Sequence, residues 1–199
     1  MTGSGSPALR DQVEASPVSA SEVVFSGHIW DVRRDTVELP TGPAERDYIA
    51  HPGAVIILAL DPEDRVLVIQ QYRHPIRTHE WELPAGLLDV EGEDPVEAAQ
   101  RELHEEVDLT AARWDHLLSF HPSPGSLGEV IHLYLARDLA PVPEDERHER
   151  THEEAGMPSR WVPLEELRSA VLTGAVRNGP LALAVLAAHD LREQGWRTA

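Results

Sequence analysis

Two apolar runs of strand length, residues 53–60 (GAVIILAL) and 65–72 (RVLVIQQY), flank the turn Asp61-Pro62-Glu63-Asp64. Runs with so little alternation predict strands buried on both faces, and the short connection predicts a hairpin at the heart of the domain. Upstream, residues 22–50 carry shorter alternating stretches, VVFSGHIWDV, DTVELP and RDYIA, with a TGP turn before the last. This pattern predicts a small antiparallel sheet, either a separate layer or a dimerisation arm. Residues 1–21 are rich in Ser, Gly, Pro and Ala with few large apolar side chains, the composition of a disordered tail. Residues 51–199 remain as the main domain.

The periodicity changes after residue 94. Val96, Ala99, Leu103 and Val107 recur at helical spacing, Asp94 is placed to cap the helix, Pro95 suits its first position, and Glu97 completes a capping-box pattern. Two further strands are expected at 113–121 and 129–137, joined by the loop 122–128, and a long polar surface loop at 141–158. A short strand at 161–163 leads into a helix over 164–172 that Gly174 ends, and a last amphipathic helix covers 180–194. Strands around one central helix, with more helices closing the other side, make the chain α+β or a three-layer sandwich.

Charge and composition narrow the possible functions. Lys and Arg number 17 against 35 Asp and Glu, a formal net charge of −18. Such a surface repels polyanions, so no nucleic-acid partner is expected. The chain has no Cys, which excludes disulfides and thiolate metal sites. No apolar run approaches the ~20 residues of a membrane span, and the N-terminus lacks a signal-like apolar core. The expectation is a soluble cytoplasmic protein with no membrane partner.

The helix after Asp94 carries an unusual density of carboxylates. An acidic helix face is commonly just solvated. Here Glu102 and Glu106 stand four residues apart and flank the apolar stripe, where like charges repel. Arg101 is the one Lys or Arg from Gly86 to Leu109. A divalent cation relieves that repulsion, and carboxylate oxygens are the ligands that hard Mg²⁺ prefers. Glu105 points further from the stripe, towards a cation or only water. The turn Leu83-Pro84-Ala85-Gly86 can offer a backbone carbonyl to the same ion.

The run RELHEEVDL, preceded by Glu93 and Gly86, resembles the Nudix box, with Glu93, Arg101, Glu102, Leu103, Glu105, Glu106 and Leu109 in register. Two positions depart from that pattern. Gly86 precedes Glu93 by six residues rather than five, which predicts a bulge before an intact helix. Asp108 stands where the box closes with Gly, a left-handed position that costs a non-glycine residue roughly 1–2 kcal/mol.

The resemblance implies a Nudix-like α/β/α sandwich with a mixed sheet, and hydrolysis of a nucleoside diphosphate derivative with Mg²⁺ or Mn²⁺. It makes Glu102 and Glu106 metal ligands together with the Ala85 carbonyl, Glu105 a further ligand or a base, and Glu93 with Arg101 structural support. The segments QYRHP, WELPAGLL and SPG, with Pro124 sixteen residues after Asp108, are similar to the ADP-ribose pyrophosphatase branch. That branch implies AMP and ribose 5-phosphate as products, Arg73 and the Pro124 loop at the substrate, and Glu129 near the terminal ribose. Ser126-Leu127-Gly128 departs from its Ser-Asp pattern. A catalytic glutamate from a late loop would be Glu153 or Glu154, with Glu153 favoured. The branch also implies a homodimer with exchanged N-terminal strands, in which Ile29, Arg46 and Asp47 reach a neighbour's adenine pocket. The alternatives are the same chemistry on another nucleotide sugar or dinucleotide, and a non-catalytic nucleotide-sensing module.

Overall fold

The computed structural model describes residues 9–28, 30–150 and 156–196; Ile29, Glu153 and Glu154 lie outside them. The chain divides into two compact units, Met1–Ala50 and His51–Ala199.

The first unit is an antiparallel sheet of β1 (Val18–Ser26), β2 (Asp31–Leu39) and β3 (Gly42–Ala50) in that order. The stretch VVFSGHIWDV is not one strand. It breaks at Gly27, whose N–H donates to the Trp30 carbonyl at 3.0 Å and where a Cβ would meet that oxygen at 2.4 Å. The sheet also begins at Val18, four residues before the expected start. Ser19 and Ser21 read as tail composition, yet their hydroxyls donate to Glu38 and Asp35 across the ladder, each at 2.6 Å.

The second unit is built around β4 (Ala54–Ala59), every residue of which is buried. The expected hairpin does not form as one sheet. β4 pairs in parallel with β9 (Ile131–Pro141), whereas β5 (Arg65–Arg73) pairs with β6 (Thr78–Glu82) and β10 (Ser159–Pro163). A single bridge, Leu60 to Val66, links the two runs. The physical reason is that strands apolar on both faces satisfy burial in either sheet, so pattern alone cannot choose their partners. β4 also takes β7 (Ala85–Leu87) on its other edge, and β8 (Leu109–Phe120) completes the order β7-β4-β9-β8. The β4–β9 pair is parallel and its neighbours are antiparallel, a mixed sheet.

Alternation along β4 creates two cores. Val55, Ile57 and Ala59 pack with Ala98, Ala99 and Leu103 of α1 (Pro95–Val107). Ile56 and Leu58 face the other way, into a cluster with Leu164 and Leu167 of α2 (Leu164–Leu172) and Leu181, Ala184, Val185 and Ala188 of α3 (Gly179–Glu193). The result is an α/β/α sandwich. Each fully buried leucine contributes about 1.5–3 kcal/mol, so Leu103 alone pins α1 firmly to the sheet. Val96 and Val107 flank it as partly buried contacts, completing the expected stripe.

β8 and β9 are longer than expected, because small residues such as Ala111 and Ala140 carry their ladder beyond the apolar centres. The polar stretch after β9 is not wholly surface. Val142 is 2% exposed, and its N–H donates to the Asp108 carbonyl at 2.9 Å.

Candidate active site

The two ends of α1 determine what its side chains can do. At the start, Pro95 occupies the first turn and the Glu97 carboxylate accepts from the Asp94 N–H at 3.3 Å. At the end, Asp108 takes the left-handed conformation, φ 55° and ψ 40°, and its N–H closes back on the His104 carbonyl. The extra residue before the helix is absorbed in a turn, not a strand bulge. The Glu93 N–H donates to the Val90 carbonyl at 3.2 Å, and Gly92 supplies a positive φ of 82°.

Between these ends, Arg101 is the hub of the acidic face. Its Nε and Nη2 bind the two oxygens of Glu93, both at 3.0 Å, and its Nη1 reaches Glu102 at 2.6 Å and Glu105 at 3.4 Å. The hydrogen bonds from Arg101 hold the Glu93 carboxyl below the usual glutamate range. Glu93 first, and then Glu102, raise the Arg101 pKa, so the hub stays charged. Glu106 accepts from the Ala85 N–H at 3.0 Å, joining the helix to β7. The Glu102 side chain lies directly against Gly86, where an added Cβ would meet its carboxyl carbon at 2.0 Å. A larger residue there would force the Glu102 carboxylate to move.

These are hard oxygen donors, brought to the backbone beside Ala85, with Glu102 seated in the space that Gly86 leaves open. The donor set fits a hard divalent cation better than a transition metal seeking imidazole or thiolate. Among the described residues, no three His, Asp or Glu side chains converge as a ready-made metal cage. Arg101 instead engages the carboxylates of Glu102 and Glu105.

The remaining expected residues fall in several places. Arg73, at the end of β5, is held in a two-pronged ion pair with Glu82, at 2.9 and 2.6 Å. Glu82 is 4% exposed, the one charged side chain buried among the described residues, and sequence reasoning passed over it. Its signal was the alternation of the β6 strand, which directs Trp81 and Glu82 to opposite faces. Glu129 lies 3.5 Å from Nε2 of His51, whose Nδ1 accepts from the Gly53 N–H at 3.1 Å. His51 is a second residue the pattern did not mark. Pro124 sits in an exposed turn closed by Ser126 and Leu127 N–H groups on the Ser123 carbonyl. Arg46 and Asp47 lie on β3 of the first unit, where Arg34 binds Asp47 at 2.7 and 2.9 Å and lowers its pKa.

Residues 50–183 match the family model described as the NUDIX domain. Over 171 residues the chain is 42% identical to an ADP-ribose pyrophosphatase of Mycobacterium tuberculosis (strain ATCC 25618 / H37Rv), covering 85% of this chain and 81% of that protein. It is 40% identical over 126 residues to an ADP-ribose pyrophosphatase of Bacillus subtilis (strain 168), covering 63% and 68%. A solved structure described as an ADP compounds hydrolase superposes with a TM-score of 0.75 at 22% identity, over 94% of this chain and all of that one, a likeness of fold.

Proposed function

This chain belongs to the NUDIX family, and on that premise we propose that it is a pyrophosphohydrolase that cleaves the diphosphate bond of ADP-ribose to AMP and ribose 5-phosphate. The observation that carries the reading is the in-register helix α1, with Glu102 seated on Gly86 and Glu106 tied to Ala85, in a chain 42% identical to an ADP-ribose pyrophosphatase.

The substrate is an anion and so is the site, which makes a divalent cation the necessary third party. Bound there, Mg²⁺ or Mn²⁺ neutralises the diphosphate and lowers the pKa of an attacking water. Glu102 and Glu106 would hold the ion with the Ala85 carbonyl, and Glu105 would add a ligand or accept a proton. Arg101 keeps the carboxylates from repelling one another, using Glu93 as its counterweight. Arg73, aimed by Glu82, presents a guanidinium to the substrate's phosphates, a geometry suited to their oxygens. Glu153, or Glu154 beside it, takes the proton from the attacking water. The bridging P–O bond then breaks and the leaving phosphate departs with its electron pair. Glu129, held by His51, and the Pro124 loop bind the terminal ribose.

The first unit serves in this reading as a dimerisation arm, exchanging strands with a second copy so that Ile29, Arg46 and Asp47 contact the neighbour's adenine. In the described chain no helix is long and apolar enough to cross a membrane.

The substrate assignment is tested by comparing initial rates with Mg²⁺ on ADP-ribose, other nucleotide sugars and dinucleoside polyphosphates. A clear preference for ADP-ribose is expected. Equal, feeble rates on every member of the panel contradict the assignment.

A further inference from the structure

The C-terminal turn of α1 is gripped from a distance of 42 residues in sequence. Arg150 donates through Nε to the backbone carbonyl of Glu105 at 3.0 Å, and through Nη2 to the carboxylate of Asp108. The Glu105 carbonyl is one of the last four of the helix, which have no intrahelical partner. Arg150 therefore supplies a hydrogen bond the helix cannot make for itself, and places a cation at the negative end of its dipole. Asp108 is the position at which the chain departs from the box glycine. A glycine there would adopt the same left-handed backbone with less strain, but it would offer no carboxylate to the arginine. Both side chains are partly buried, so the pair is shielded in part from solvent. The segment arriving at the pair is itself anchored, with Val142 bonded to the Asp108 carbonyl and the Arg147 Nε donating to the Val142 carbonyl at 3.2 Å.

The geometry points to Arg150 as a positioning residue for the metal-binding turn of α1, with Asp108 as the anchor that holds it. Glu105 and Glu106 are the last carboxylates before the helix ends at Val107. Their directions depend on a turn that would otherwise fray, and Arg150 fixes that turn through a backbone atom, not through the carboxylates themselves. On this account the aspartate in place of glycine is a replacement with a use, trading backbone ease for a fixed partner. The inference rests on the reading of α1 as the metal-binding helix.

The test is Mn²⁺ binding to the full-length protein without substrate, measured calorimetrically well below the unfolding temperature, with kcat and KM for ADP-ribose alongside. Arg150→Ala is expected to weaken Mn²⁺ binding by about 10-fold, the range found when an outer partner of a metal ligand is removed. Asp108→Gly should do the same in the wild-type background and add nothing in the Arg150→Ala background, because the two residues act as one unit. Arg150→Lys and Asp108→Asn should lie between, and they carry the test if either larger change prevents folding. Folded variants that bind Mn²⁺ like the wild type overturn the inference, even if their unfolding temperatures fall, and so do independent, multiplying losses from the two positions. A wild-type protein that neither binds Mn²⁺ nor hydrolyses ADP-ribose instead overturns the underlying reading of the helix.

Discussion

The Glu102 carboxylate occupies the space that a Cβ on Gly86 would need, with its carboxyl carbon 2.0 Å and Oε1 2.1 Å from that point. The glycine and the glutamate lie on different elements, β7 and α1, sixteen residues apart. Gly86→Ala should therefore push Glu102 off the strand, because the methyl cannot share its volume. The expected outcome is at least a ~10-fold loss of kcat, the scale of disturbing a ligand's support. Steady-state kinetics and the unfolding temperature of the variant check it together. A wild-type kcat would remove the Gly86 contact from the account.

A glutamate whose pKa is lowered on folding stabilises the native state above its ordinary pKa and loses that contribution as pH falls through the folded value. Glu93 is such a group, held down by its hydrogen bonds to Arg101. Wild-type stability should therefore decline on acidification from about pH 4.3 downward, the ordinary glutamate value. Glu93→Gln should show a shallower decline across that same window and little difference in slope near neutrality. Thermal unfolding followed in a pH series distinguishes the two. Identical slopes in both proteins would show that the Glu93–Arg101 pair contributes nothing to folding.

The proposed mechanism gives the role of general base to Glu153 or Glu154. Glu153→Gln is expected to lower kcat by about 10²–10⁴-fold, the usual contribution of a general base, with Glu154→Gln much milder. Side-by-side kcat measurements at saturating ADP-ribose and Mg²⁺ decide between them. Two mild effects would place the base elsewhere, with Glu105 the next residue to examine.

What could be read in the sequence was what repeats locally. The stripe of Val96, Ala99, Leu103 and Val107 has helical period, and Asp94, Pro95 and Glu97 mark where it starts, so α1 and its carboxylates were legible residue by residue. The pairing of β4 and β5 was not, because runs such as GAVIILAL have no polar face to say which neighbour each strand takes. Alternation on β1 was hidden for another reason, since Ser19 and Ser21 look like tail residues until Asp35 and Glu38 lie opposite them. Contacts that join distant segments leave no local mark at all. Arg73 with Glu82 spans a strand pair, His51 with Glu129 crosses much of the domain, and Arg150 reaches back 42 residues to Asp108. Only the folded arrangement brings these pairings into view.

The central claim is that the α1 carboxylates hold the cation on which ADP-ribose hydrolysis depends. It is tested most directly by following AMP and ribose 5-phosphate from ADP-ribose, with and without Mg²⁺, for the wild type and Glu106→Gln. The account predicts equimolar products that require the metal, and a turnover at least ~100-fold lower in the variant, the scale of losing a major electrostatic contribution. Hydrolysis that proceeds equally well without added metal after chelation, or a near-normal rate in Glu106→Gln, would contradict it.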